Sequence, residues 1–100
     1  MTDHLLLVED DTALASMVHD FLVGEHFKVS IESNGMNAID RILSEPFDAV
    51  ILDIGLPGAD GFEVCRKVRP SFAGPILVLT ARGDEVDEVV ALDVGADDLL

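Results

Sequence analysis

The sequence predicts an α/β fold in which a parallel β-sheet carries helices on both faces. Three observations predict it. Short apolar runs suited to buried strands recur along the chain, segments with helical apolar spacing separate them, and turn residues mark short loops between the two. Strand and helix alternate throughout, a pattern that right-handed crossovers convert into a doubly wound sheet.

The first strand signal is Leu5 to Val8, continuously apolar as a strand covered on both faces should be. Leu14, Met17, Val18, Phe21 and Leu22 then recur at helical spacing and predict a first helix with that face turned to the core. Lys28 to Glu32 alternates in polarity, which predicts a more exposed strand. A second helix follows with Ala38, Ile39, Ile42 and Leu43 on one face, then a third strand at Ala49 to Leu52. Phe62, Val64, Cys65 and Val68 mark a third helix ending at Pro70, and Ile76 to Leu79 a fourth strand. Val86, Val89, Val90 and Leu92 mark a fourth helix ending at Gly95. Loops are read at Gly35, Pro46, Pro57-Gly58 and Gly74-Pro75. The last strand signal, Asp98-Leu99-Leu100, starts as the sequence stops. This predicts a fifth strand cut short and no fifth helix, as in a piece of a longer protein.

One hundred residues at 49% hydrophobic content suffice for a single domain over residues 1–100 with one packed core. Twenty acidic residues against six basic ones give a formal charge of -14. Such a surface repels nucleic-acid phosphates and anionic membranes, so this segment is expected to grip neither. The single cysteine, Cys65, has no partner for an internal disulfide, fits a reducing cytoplasm and is read as a small core residue. His4, His19 and His26 are scattered, without metal-ligand spacing. The chain enters its first apolar run at once, with neither a basic leader nor a spanning stretch, and a cytoplasmic location is expected.

In a doubly wound sheet the strands deliver their C-terminal ends to one rim, and ligands bind where the strand order reverses. The first strand ends in Glu9-Asp10-Asp11, the third in Asp53 and the fourth in Thr80-Ala81. Carboxylates gathered this way repel one another, which implies a bound cation. Mg²⁺ is the expected one, a hard ion that takes one or two carboxylates, waters and substrate phosphate. Asp53 is placed to act as a nucleophile toward phosphorus, with Glu9 and Asp10 holding the metal that neutralises charge. Asp11, directly before a helix, is read as its N-cap. Thr80 reads equally as a cap for the next helix or as a hydroxyl turned to the site.

Three stretches, Leu7-Val8-Glu9-Asp10-Asp11, Ile51 to Gly61 with Asp53 followed by Leu56-Pro57, and Leu79-Thr80-Ala81-Arg82, resemble the motifs of response-regulator receivers of two-component systems. The resemblance runs over essentially the whole chain. It implies a flavodoxin-like sheet of order 2-1-3-4-5 and a phosphorylation switch rather than a turnover enzyme, at most self-catalysing its own phosphoryl transfer and loss. Asp53 would be the phosphoacceptor and a metal ligand, Glu9 and Asp10 the acidic metal pair, and the Gly55 backbone carbonyl a further ligand. Thr80 would be the switch hydroxyl that turns in to bond a phosphoryl oxygen. The implied phosphodonor is a sensor histidine kinase.

Residues Asp87 to Asp98 are similar to the fourth-helix signature of the OmpR/PhoB subfamily. That likeness implies a homodimer through the Val86–Asp98 region, with Asp97 and Asp98 salt-bridged across it. It also implies a winged-helix DNA-binding domain C-terminal to this sequence, through which alone DNA would be contacted. Three departures stand out. The family's phosphate-contacting lysine would fall two residues past Leu100, Leu99 stands where the family usually has a switch aromatic, and Glu88 where the subfamily usually has a basic residue. Two other outputs are consistent with such a chain: a stand-alone receiver adaptor that docks a partner protein, and a phosphatase of the haloacid dehalogenase type. The latter looks for a second aspartate where this sequence has Gly55.

Overall fold

A computed structural model of the chain describes residues 2–79 and 97–99. Strands β1 (His4–Val8), β2 (Lys28–Glu32), β3 (Ala49–Asp53) and β4 (Ile76–Leu79) lie in the order β2-β1-β3-β4, as expected. A two-residue strand, β5 (Asp98–Leu99), pairs with β4 at the far edge, and the pairings along the sheet are all parallel. Helices α1 (Thr12–Gly24), α2 (Gly35–Ser44) and α3 (Gly61–Val68) make the crossovers. α3 runs into a single 3-10 turn, Arg69–Ser71, that accommodates Pro70. The expected fourth helix from Val86 to Gly95 lies outside the described residues, as do Thr80 and Glu88.

Alternate strand residues serve opposite faces. Leu6, Val8, Val50, Leu52 and Val78 join Ala38, Ile39 and Ile42 of α2 and Val64, Cys65 and Val68 of α3 in the larger core. Leu7 and Ile51 meet Ala15 on the other face, with Val18 and Leu22 of α1 packed against them. Burying each large aliphatic side chain contributes roughly 1.5–3 kcal/mol, so these strands hold the site's frame firmly. Cys65 is fully buried, as its reading as a core residue requires.

The first helix departs from expectation. Leu14, Met17 and Phe21, read as core-facing, are 40%, 65% and 64% exposed. Val18 and Leu22 of the predicted face do cover the sheet, joined by Ala15, which the prediction left out. Both triplets have i, i+3, i+7 spacing and lie about 100° apart around the helix, so periodicity alone cannot choose between them. Leu43 on α2 is exposed for the same reason, beside a buried Ile42.

Helix starts are fixed by side-chain caps. Asp11 accepts from the Leu14 N–H at 3.0 Å, Asn34 from Met36 and Asn37, and Asp60 from Glu63 at 2.9 Å. Gly35, read as a loop residue, is the first residue of α2. α1 ends with His26 at φ 72°, where the Phe27 N–H bonds the Leu22 carbonyl and the His26 N–H that of Val23. This is a Schellman ending with histidine where glycine is usual.

Asp97 is engaged within its own chain. One carboxylate oxygen accepts from Arg69 at 3.0 Å and from the Ile76 backbone N–H at 2.7 Å. Arg69 also donates to the carbonyls of Phe72 and Gly74, so one guanidinium ties the end of α3, the approach to β4 and the approach to β5.

Candidate functional site

The strand register builds the site. Val8 faces Leu52 across β1 and β3, and Asp53 faces Leu79 across β3 and β4. Glu9 and Asp10, directly after β1, therefore emerge beside Asp53 at the C-terminal rim, where the winding of the sheet reverses. Carboxylate oxygens of Glu9, Asp10 and Asp53 lie within 4.8 Å of one another. The Glu9 N–H donates to the Glu32 carbonyl at 2.9 Å, which continues the β1–β2 ladder one residue into the site. α3 closes the opposite side. Its first residue is Gly61, whose N–H bonds the Ile54 carbonyl at 2.9 Å, and a Cβ there would lie only 3.0 Å from the Asp53 carbonyl carbon.

Burial differs across the three acids. Glu9 is buried, Asp53 half-buried and Asp10 exposed. One Glu9 oxygen accepts from the Asp11 N–H at 3.2 Å, whereas the other is buried without a hydrogen-bond partner. Desolvation pushes the Glu9 carboxyl up to about 7, the Asp11 N–H opposes the rise, and the nearby charges of Asp53 and Asp10 add to it. A buried orphan oxygen facing two further carboxylates is an unfavourable arrangement by itself. The donor set consists entirely of hard oxygens and offsets this cost on binding a divalent cation, so the residues fit Mg²⁺. A cleft of about 310 Å³ opens beside Glu9 and Asp10 along α1, lined further by Thr12, Ser16, His19 and Ser33.

Of the residues singled out in the sequence, Glu9, Asp10 and Asp53 are brought together. Gly55 follows two residues after Asp53 in the β3–α3 loop, where a Cβ would lie 4.0 Å from Asp53 Oδ2. Asp11 caps α1. Thr80 lies outside the described residues. Sequence reasoning passed over Asn34 and read Gly58 only as a loop residue, yet both join Gly35 in holding the β3–α3 loop. An Asn directly ahead of a helical run was the available signal.

The family of the response regulator receiver domain matches residues 5–100. The chain belongs to that family. Response regulator ArlR of Staphylococcus epidermidis is 40% identical over 97 residues, which cover 97% of this chain and 44% of that protein. ArlR of Staphylococcus aureus is 41% identical over 96 residues, again with 44% of its length covered. This receiver thus spans less than half the length of these curated relatives. The BeF3-activated N-terminal receiver domain of Klebsiella pneumoniae RstA superposes with a TM-score of 0.94 at 34% identity, over 98% of this chain and 84% of that one. The receiver domain of the Pseudomonas aeruginosa sensor histidine kinase PA1611 gives 0.89 at 27% identity, over 100% and 84%. That receiver has a magnesium ion coordinated in its active-site cleft.

Proposed function

We propose that this receiver accepts a phosphoryl group on Asp53 from the phosphohistidine of a sensor kinase. The observation that carries the proposal is the convergence of Glu9, Asp10 and Asp53 at the rim of a receiver fold. Glu9, Asp10, Asp53 and the Gly55 carbonyl would hold Mg²⁺, which when bound neutralises charge on the transferring group. An Asp53 carboxylate oxygen forms the new bond to phosphorus as the phosphorus–nitrogen bond of the donor breaks. The electron pair leaves with the imidazole, which takes up a proton. The Glu9 N–H is bonded to the Glu32 carbonyl and Asp53 ends β3 in register with Leu79, so the protein's part is positioning, the main demand of phosphoryl transfer.

The output we infer is transcriptional. Thr80 would bond the new phosphoryl oxygen, the Val86–Asp98 region would form a homodimer, and a C-terminal winged-helix domain beyond this sequence would contact DNA. The length of the curated relatives supports a further domain. A cytoplasmic location follows from the phosphodonor and from a lone cysteine suited to a reducing compartment. Among the described residues, no helix is long and apolar enough to cross a membrane.

Incubation with acetyl phosphate and Mg²⁺ is expected to add one phosphoryl group per chain, read by intact-mass spectrometry. Asp53→Ala should abolish the addition. Labelling of that variant at wild-type stoichiometry would move the acceptor elsewhere.

A further inference from the structure

The β3–α3 loop, which carries Gly55, is interlocked with the start of α2. The Gly35 N–H donates to the Pro57 carbonyl at 2.9 Å, and the Ala59 N–H bonds the same oxygen at 3.1 Å. A Cβ at Gly35 would overlap the Ala59 carbonyl oxygen and lie 2.7 Å from its carbon. Contact runs the other way as well. Gly58, at φ +85°, lies against the Asn34 side chain, and a Cβ there would meet Asn34 Oδ1 at 2.8 Å. That Oδ1 already caps α2 through Met36 and Asn37, so Asn34 cannot easily swing aside.

The other end of the β2–α2 loop is tied to the first metal-site acid. The Glu32 carbonyl accepts from the Glu9 N–H, and the Glu32 carboxylate accepts from the N–H groups of Ser33 and Asn34 at 3.0 and 3.1 Å. Residues Glu32 to Gly35 thus span the two halves of the site, from the Glu9 backbone to the loop after Asp53, without contributing a ligand.

We propose that the β2–α2 junction, Glu32 to Gly35, positions the metal site, with Gly35 at the start of α2 as the residue on which the positioning depends, because only a residue without a side chain lets α2 approach the Pro57–Ala59 backbone. This rests on the reading of Glu9, Asp10, Asp53 and Gly55 as metal ligands. Supporting shells of this kind set metal affinity by fixing where the ligands stand.

The test is a Mg²⁺ titration of the full chain, followed by amide NMR shifts around Asp53. Gly35→Ala is expected to weaken Mg²⁺ binding about tenfold, while saturating Mg²⁺ restores its labelling by acetyl phosphate. Gly58→Ala, which presses on the same contact from the exposed side, should weaken binding in the same direction. Ile42→Val, a core change in α2, controls for general destabilisation and should leave Mg²⁺ affinity within about twofold of wild type. Wild-type affinity in folded Gly35→Ala, or equal weakening in Ile42→Val, would overturn the inference alone. Should Gly35→Ala not fold, Gly58→Ala decides, and wild-type affinity there overturns it. If wild-type protein shows no Mg²⁺ binding that Asp53→Asn removes, the ligand reading fails and takes the inference with it.

Discussion

Glu9 is, among the described residues, the single buried polar or charged side chain, and its unpartnered oxygen makes it a liability in the metal-free protein. Its carboxyl is raised from 4.5 to about 7, so between those values the folded chain keeps a proton that the unfolded chain has released. Metal-free stability from this group is therefore fully present below about pH 4.5, falls as pH rises, and is gone above about 7. The difference is on the order of 3 kcal/mol. Glu9→Gln is accordingly expected to melt higher than wild type at pH 8 in EDTA, and to lose the Mg²⁺-induced rise in Tm. Protons and metal compete for the same oxygens, so wild-type Mg²⁺ affinity should fall as pH drops below about 7, measurable by calorimetric titration at pH 6 and pH 8. The acids themselves were legible in the sequence because they terminate apolar strand runs. The orphan oxygen was not, since it depends on how the Asp11 N–H and the half-buried Asp53 crowd one carboxylate.

Among the elements, strands were easier to read than helix faces. A strand buried on both sides is apolar at every position, whereas α1 offers two apolar stripes and only packing selects Ala15, Val18 and Leu22 over Leu14, Met17 and Phe21. The ending of α1 carries a testable strain. His26 adopts the left-handed conformation, which is unfavourable for a side-chain-bearing residue, and its own N–H is already committed to the Val23 carbonyl. His26→Gly should keep both capping hydrogen bonds and stabilise the chain by up to about 1 kcal/mol in urea unfolding. Destabilisation would mean that the imidazole makes a compensating contact. Asp97 shows the reverse limit of sequence reading. Arg69, 28 residues earlier, reaches it inside the same molecule, a pairing that no local spacing announces. That proximity exists only after β4 and β5 pair.

At the scale of the whole molecule, strand–helix alternation and right-handed crossovers predict a parallel α/β sheet, whereas its strand order is what the resemblance to receivers implies, and the rim site is read from the acids that end the strands. The net charge of -14, left after six basic residues are set against twenty acidic ones, acts against compactness. Raising NaCl from about 0.02 to about 0.5 M shortens the Debye length to a few ångströms and is expected to raise the metal-free Tm by several degrees. A fall in Tm with salt would show that local pairs such as Arg41–Glu45 outweigh the collective repulsion. One buried atom turns this balance into something that can be timed. The sulfur of Cys65, the chain's single thiol, is closed off from solvent between α3 and the sheet, and its burial also raises its pKa. A thiol-specific dye should react only with molecules that have momentarily opened, so its colour change is a clock for the opening of the core. Mg²⁺ at one hundred times its dissociation constant should slow that clock about a hundredfold, because a ligand held only by the closed form makes opening rarer in proportion to its binding.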